Sequence, residues 1–451
     1  MQTTTPINIA IMGIGTVGGG TYDILTRERA MILKTQGIDI RVAKVLDRSV
    51  DLIVKRGVPA ECATTSLEDI LADNSISIVV ETMGGVEPAK TFITRILESG
   101  RSVVTANKEL IAKHGKELEP IAKKTGAGLY FEASCAGGIP IIRVLQQGMQ
   151  ANNLTQIFGI INGTTNYILT KMAESKLSYG TALSDAQALG FAEFDPTADV
   201  GGHDAAYKLS ILLTLAFHTH IPYTEIFREG ITAVTAADIA NAAKLGYVIK
   251  LLAIGKREKG KLEARVHPCF VPLSHPLSSV RNEFNAVFLK GDSVDDVMLY
   301  GRGAGSFPTA SAVVSDIAVC AKSAAHTYTA FSAPRHLINA AGSAGEQTVG
   351  DGSSGAPQSA LAPAGTVSDF ESAYYLALTA EDRAGVLAGI ADLFGRFGIS
   401  IAQMVQSEAS NGTASIIFLT HATSEKAMQD ALSEMKKLKA VKSADSVIRV
   451  L

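Results

Sequence analysis

The first third of the chain alternates short apolar runs with stretches that repeat their apolar residues at helical spacing. INIAIMGI (Ile7 to Ile14), IRVAKVL (Ile40 to Leu46), SISIVVE (Ser75 to Glu81), RSVVT (Arg101 to Thr105) and GLYFEAS (Gly128 to Ser134) read as buried strands. Helical segments such as Pro88 to Glu98 lie between them. Runs apolar on both faces and joined by helices predict a doubly wound parallel sheet. After Leu145 the pattern changes. Ile161 to Leu169 (INGTTNYIL) reads as a capped helix start, and Leu209 to Phe217 is a helix with no polar face beyond Ser210 and Thr214. LLAIGKRE, KLEARVHPCFVP, NAVFLKGD and DDVMLYGRG then come as strands with polar turns, predicting a mixed or antiparallel sheet of the sort that often forms a dimer surface. From about 341 to 369 the chain is rich in Gly, Ser and Pro and reads as a linker. Beyond it the order is strand, helix, strand, strand, helix, strand, a ferredoxin-like βαββαβ module. Val386, Leu387, Ile390, Leu393, Phe394 and Phe397 share one helical face there and read as core.

Composition removes several classes of function. A chain of 451 residues exceeds one core and calls for two or three domains. The net charge of −3 and the lack of basic runs argue against a nucleic-acid surface. No stretch reaches the roughly 18 uninterrupted apolar residues of a membrane span, so a cytoplasmic location is expected. Cys62, Cys135, Cys269 and Cys320 form no CxxC pair; neither a disulfide framework nor zinc is indicated, and they read as small buried hydrophobes.

Candidate chemistry begins at the first strand. Gly13, Gly15 and Gly18 fit G-x-G-x-x-G between a strand and a helix start, where the backbone turns tightly and free N–H groups can take a pyrophosphate. The next strand ends at Asp47, placed for a ribose hydroxyl, while Arg48 beside it could accommodate a 2′-phosphate. NAD and NADP therefore both remain open. The Rossmann-type reading makes Gly13, Gly15, Thr16, Val17, Gly18, Asp47, Arg48 and Thr82 cofactor contacts. Thr82 to Gly85 and Thr105 to Lys108 fall at strand carboxyl ends, where open α/β sheets bind ligands. Lys108 is a cofactor or substrate contact on that reading, or else an exposed helix-start lysine.

The densest charge lies in AQALGFAEFDPTADVGGHDAAYK. Glu193, Asp195, Asp199, Asp204 and Lys208 precede a wholly apolar helix, so Lys208 is carried toward the interior. Asp204 and Lys208 are spaced i,i+4 and share a helical face. That spacing suits a helix-start ion pair as well as an acid/base lysine among carboxylates that hold a cationic substrate. Asn162 and Thr164 likewise read either as plain caps or as part of a site for a carboxylate.

Taken together, GIGTVG, ETMGG, TANKEL, FEASCAGGIPII, INGTTNYIL, the charged segment and GRGAGSFPTASAV (Gly301 to Val313) resemble homoserine dehydrogenase in family order. The resemblance implies reduction of L-aspartate 4-semialdehyde to L-homoserine by NAD(P)H, or the reverse, on the way to threonine, methionine and isoleucine. It makes Lys208 the proton donor and Lys108 a second lysine near the reacting carbonyl. It places Glu193 and Asp204 on the substrate with Asp199 close by, and Gly303 on the cofactor. FEASCAGGI resembles a monovalent-cation loop, for sodium or potassium, with Glu132 by side chain or carbonyl and the carbonyls of Cys135, Gly137 and Ile139 as ligands. The domains implied are 1–135 for the dinucleotide, rejoined by about 301–340, then 136–300 for catalysis and dimerisation, the linker at 341–369, and 370–451. The last resembles the ACT domain, which implies an amino-acid effector, L-threonine, near Asp382 and Gly385; a purely oligomerising module is the alternative. A homodimer or homotetramer is expected, with no nucleic-acid or membrane partner. The competing readings are another NAD(P)-dependent oxidoreductase of an amino-acid-derived aldehyde, and a non-catalytic amino-acid sensor.

Overall fold

A computed structural model describes residues 6–258, 261–323, 370–408 and 412–451. The described residues group into two units. The first lies within Met1–Leu154, Tyr207–Tyr223 and Gly291–Leu361, and the second within Thr155–Ala206, Thr224–Lys290 and Ala362–Leu451. The linker expected at 341–369 is outside the described residues.

The first unit is built on β1 (Ile7–Met12), β2 (Ile40–Leu46), β3 (Ala63–Thr64), β4 (Ile76–Glu81), β5 (Ser102–Thr105) and β6 (Leu129–Tyr130). They form one sheet in the order β3-β2-β1-β4-β5-β6, parallel throughout. This is the doubly wound sheet predicted from the apolar runs, and Ile9, Ile11, Val79 and Val80 are wholly buried in it. The strand order reverses between β1 and β4, so the carboxyl ends of those two strands frame the crevice where such sheets bind ligands. The late helix Ser306–Lys322 brings Val313 and Ile317 into the same core as Ile9 and Ile11.

The second unit holds β7 (Leu154–Ile160), β8 (Phe227–Arg228), β9 (Tyr247–Glu258), β10 (Lys261–Pro272) and β11 (Phe284–Gly291), whereas β12 (Asp295–Arg302) falls in the first. The C-terminal module adds β13 (Glu371–Glu381), β14 (Ile401–Glu408), β15 (Thr413–Thr420), β16 (Thr423–Ser424) and β17 (Val441–Val450) to the second unit. Its strands run in the order β17-β13-β15-β14, with the helices Val386–Arg396 and Glu425–Met435 packed over a core of Leu376, Ile390, Phe394, Phe418 and Met428. That is the predicted βαββαβ order, and the residues expected on the inner helix face line this core.

The module also extends the sheet of the second unit. β17 pairs in parallel with β10 through Cys269↔Arg449 and Phe270↔Val450, and Leu451 N–H donates to Phe270 O at 3.0 Å. The resulting mixed sheet runs β11-β7-β9-β10-β17-β13-β15-β14. No described helix is long and apolar enough to cross a membrane.

Candidate active site

Chain crowding shapes the glycine turn after β1. Gly13 has φ of +90°, and a Cβ there would stand 2.9 Å from the Thr82 carbonyl. A Cβ on Gly18 would lie 1.8 Å from Gly13 O, so the helix Thr16–Arg27 can approach its own turn only because Gly18 has no side chain. Around Gly15 there is open space, and this residue caps the helix without a side-chain hydrogen bond, leaving the backbone to meet a ligand. Thr82 Oγ1 donates to Gly13 O at 2.8 Å and ties β4 to the turn. Asp47 accepts from Ile14 N–H at 2.8 Å and from Arg48 N–H at 2.7 Å, which fixes its carboxylate at the end of β2. Thr16 is exposed, Val17 half-buried, and Ser306 Oγ donates to Thr16 O at 2.8 Å. An adenine dinucleotide suits this set: a glycine turn, a free helix start and a carboxylate one strand away. Gly18→Ala should weaken NADPH binding about tenfold or more, since a displaced turn that costs about 1.4 kcal/mol already does so. Fluorescence titration of NADPH checks this; unchanged affinity would count against the turn as the dinucleotide site.

Glu81, which motif spacing does not single out, organises the two neighbouring strand ends. It is fully buried and accepts from Met83 N–H at 2.8 Å, Gly84 N–H at 3.2 Å and Thr105 Oγ1 at 2.5 Å. Burial raises its pKa above the usual carboxylate value, and the three donors work against that shift. Asn107 donates to Gly85 O at 2.6 Å and accepts from Leu110 N–H at 3.0 Å, capping the helix that begins at Lys108. Lys108 thus sits at a fixed helix start beside the Thr82–Gly85 turn. The sequence signal for Glu81 is an acid closing the otherwise apolar run SISIVV, a placement that is costly unless its oxygens are bonded.

The FEASCAGGI loop folds in the same unit. Ala136 and Gly137 are consecutive left-handed residues, each with φ of +53°, and a Cβ on Gly137 would meet Gly303 O at 2.4 Å. The GRGAG segment is therefore pressed against this loop. Glu132 is buried, and its carboxylate accepts from Ile142 N–H at 2.8 Å and Arg143 N–H at 2.9 Å. Its backbone N–H donates to Asp316, whose carboxyl is pushed up to about 7 by burial and by the nearby Glu132. Ile139 O accepts from Ile141 N–H at 2.8 Å. Cys135 is buried, and its Sγ donates to Lys208 O at 3.8 Å, linking the loop to the helix that carries this lysine.

In the second unit four of the expected substrate residues form one hydrogen-bonded set. Asn162 caps the helix Gly163–Glu174 by accepting from Thr165 N–H at 2.9 Å. Its Nδ2 donates both to Asp199 at 2.7 Å and to Asp204 at 2.9 Å. Thr164 Oγ1 donates to Asp199 at 3.2 Å and to Phe191 O at 2.5 Å. Asn162 therefore caps the helix with its oxygen and donates to two protein carboxylates with its nitrogen. Asp204 opens the helix His203–Phe217, and Lys208 comes one turn later, 5% and 8% exposed respectively. Glu193 stands outside this set, in an exposed loop whose backbone is held by Gln187 Nε2 donating to Glu193 O at 3.0 Å. In the module, Gly385 has φ of +88° before the helix Val386–Arg396, and Asp382 accepts from Gln406 Nε2 at 3.3 Å.

Asp199 and Asp204 are both bonded to one amide, and Lys208 lies one turn after Asp204 in the same helix. Comparison with known proteins makes the chain an NAD(P)-dependent oxidoreductase acting on a CH–OH group. Residues 13–132 match the homoserine dehydrogenase NAD-binding domain, 140–318 homoserine dehydrogenase itself, and 374–440 the ACT domain. The homoserine dehydrogenase of Bacillus subtilis is 37% identical over 448 residues, covering 98% of each chain. A crystal structure of a homoserine dehydrogenase from Thiobacillus denitrificans superposes with a TM-score of 0.89 at 38% identity, covering 100% of this chain and 99% of that one. A hyperthermophilic archaeal homoserine dehydrogenase in complex with NADPH covers 72% of this chain and 100% of its own, with a TM-score of 0.62 and 29% identity. The chain belongs to the homoserine dehydrogenase family.

Proposed function

We propose that the chain interconverts L-aspartate 4-semialdehyde and L-homoserine with NAD(P)H, and that L-threonine regulates it through the C-terminal module. The observation that carries the first part is the pair Asp199 and Asp204, both bonded to Asn162, at the head of the helix that bears Lys208. The substrate is a zwitterion with an aldehyde. Asp204 and Asp199, joined by Glu193 from its loop, hold the ammonium group. Asn162 and Thr164 set the helix start whose backbone receives the carboxylate. When bound, the nicotinamide supplies a hydride to the carbonyl carbon. Lys208 stabilises the oxygen as charge develops there and gives it a proton, and Lys108 reinforces the positive field at that oxygen. Aldehyde, hydride and proton balance to the alcohol. Gly13, Gly15, Thr16, Val17, Gly18, Asp47, Arg48, Thr82 and Gly303 hold the cofactor in this reading. An NADPH complex of an archaeal relative supports a nicotinamide dinucleotide in general. Absorbance of NADPH and NADH, followed with aspartate semialdehyde, tests the reading; consumption of neither would leave the sensor alternative.

We assign a monovalent cation, sodium or potassium, to the FEASCAGGI loop. The left-handed turn at Ala136 and Gly137 favours ligation by backbone oxygens of Cys135, Gly137 and Ile139. The Glu132 carboxylate serves two amides and its carbonyl accepts from Cys135 N–H at 3.3 Å, so side chain and carbonyl are both kept as candidate ligands. A donor set that is mostly neutral oxygen suits a hard ion of low charge.

L-Threonine is the natural effector because it is an amino acid downstream of homoserine and the module is an ACT domain. Asp382 and Gly385 at the first strand–helix turn are its proposed contacts, and the module also supports a homodimer or homotetramer. Isothermal titration of the full chain should detect L-threonine binding that Asp382→Ala abolishes. No binding, together with activity indifferent to threonine, would leave a purely oligomerising module.

A further inference from the structure

The junction between the C-terminal module and the sheet of the second unit holds a buried cation, Arg449, in addition to Arg265, which donates to Ser372 Oγ at 2.9 Å. Arg449 lies on the last strand, is 4% exposed, and donates to carboxylates on either side of the junction. Toward the module, Nε and Nη2 each bond Glu425 at 2.8 Å, and Tyr374 OH donates to the same carboxylate at 2.7 Å. Toward the dehydrogenase part, Nη1 bonds Glu229 at 2.6 Å. Burial alone would push Glu425 up, yet the Arg449 guanidinium together with the hydrogen bonds from Tyr374 and Gln429 offsets it and the carboxyl lies below its ordinary value. This is a fully engaged buried cation, and none of its partners belongs to the substrate set.

The backbone from Glu229 to Ile231 extends the reach of this junction. Glu229 N–H donates to Val266 O at 2.8 Å, and Ile231 N–H donates to Val200 O at 2.9 Å. Gly230 between them lies flat against the Val200–Gly201 backbone: a Cβ there would be 2.2 Å from Val200 O and 2.9 Å from Gly201 Cα. Val200 and Gly201 connect Asp199 to the turn that starts the Asp204 helix, and Gly202 needs φ of +79° to make that turn. An unbroken path thus leads from the module's last strand to the backbone between the two substrate carboxylates. A groove of about 430 Å³ runs along the same seam, lined by Gly230, Val234 and Pro268 on one side and Ser446 and Ile448 on the other.

Resting on the roles proposed for Asp199 and Asp204, we propose that Arg449 and Glu229 are positioning residues that set the Asp199–Asp204 turn from the module junction. They touch no substrate. They act by fixing Gly230 against Val200 and Gly201, so a change at the junction alters how tightly the amino-acid aldehyde is held while leaving the dinucleotide turn alone.

Glu229→Gln is the first test, because its half-exposed side chain keeps its shape and no buried charge is removed from the fold. In the full chain, amide hydrogen exchange across 199–206 should rise in this variant while exchange across 12–20 stays as in the parent. KM for aspartate semialdehyde should rise roughly 3- to 30-fold with kcat and the KM for NADPH little changed. Gly230→Ala, which presses on the same backbone from the same side, should give the same split, and Glu229→Asp should restore part of it. Unchanged exchange across 199–206 in both Glu229→Gln and Gly230→Ala overturns the proposal, as does a parallel loss in cofactor KM. Should the parent fail to consume NAD(P)H, the proposed reaction fails on that observation, and the exchange data still decide the positioning role.

Discussion

Lys208→Ala should bind NADPH as the parent does and lose at least about 10²-fold in kcat, the scale on which a positioned proton donor contributes. The lysine is 8% exposed and sits in the second turn of a helix whose continuation, Leu209, Ile211, Leu212 and Leu213, is buried. A flexible surface lysine could be replaced by a neighbour or by water. One fixed by its helix at the head of an apolar segment cannot, so on the proposed role its removal leaves the nascent alkoxide without a proton. Lys208→Arg sharpens the test, because it keeps the charge but holds its proton far too tightly to release it near neutral pH. It should therefore bind substrate with a KM within a few-fold of the parent and still turn over slowly. Stopped-flow reduction with both variants distinguishes these cases. Turnover of Lys208→Ala within about threefold of the parent would remove Lys208 from the chemistry and return it to a structural ion pair.

The parallel sheet was legible because strands buried on both faces produce uninterrupted apolar runs, and Val79–Val80 beside Val103–Val104 is such a case. The glycine turn was legible for the same local reason: three glycines in six positions are explained by the distances a Cβ would violate at Gly13 and Gly18. The family resemblance placed Asp204 on the substrate with Asp199 close by, while spacing left Asn162 as either a cap or part of a carboxylate site. It did not reveal that a single amide nitrogen holds both carboxylates, since residues 37 and 42 positions from Asn162 meet it only through tertiary folding. The pairing of β17 with β10 is less legible still. Arg449 reads as an ordinary charge in SVIRVL, and its buried ion pairs join it to residues 24 and 220 positions away. Local periodicity carries no information at that range. Glu81 lies between these extremes, visible as an anomaly in a strand but interpretable only once Thr105 is beside it.

Asp204→Asn should reduce kcat/KM for aspartate semialdehyde by roughly 30-fold to several thousand-fold, most of it through KM. Truncating one member of a desolvated charge pair costs about 2–5 kcal/mol, which spans that range. The argument turns on what two carboxylates gathered by Asn162 are for. Like charges brought close raise each other's energy, and hydrogen bonds from Asn162 and Thr164 reduce that repulsion. An ammonium group entering beside them adds a positive charge that both carboxylates favour. On that account the site selects substrates by their amine, so a four-carbon aldehyde acid without it, succinate semialdehyde, should be a poor substrate of the parent. Asp204→Asn removes one of the repelling charges and much of the reward for an amine, and the preference for the amino substrate should shrink with it. The decisive quantity is the ratio of kcat/KM for the two aldehydes in parent and variant, with Asn162→Ala as a companion that loosens both carboxylates without changing charge. A ratio unchanged by Asp204→Asn, with both substrates slowed alike, would mean that Asp204 serves Lys208 one turn away instead of the substrate amine.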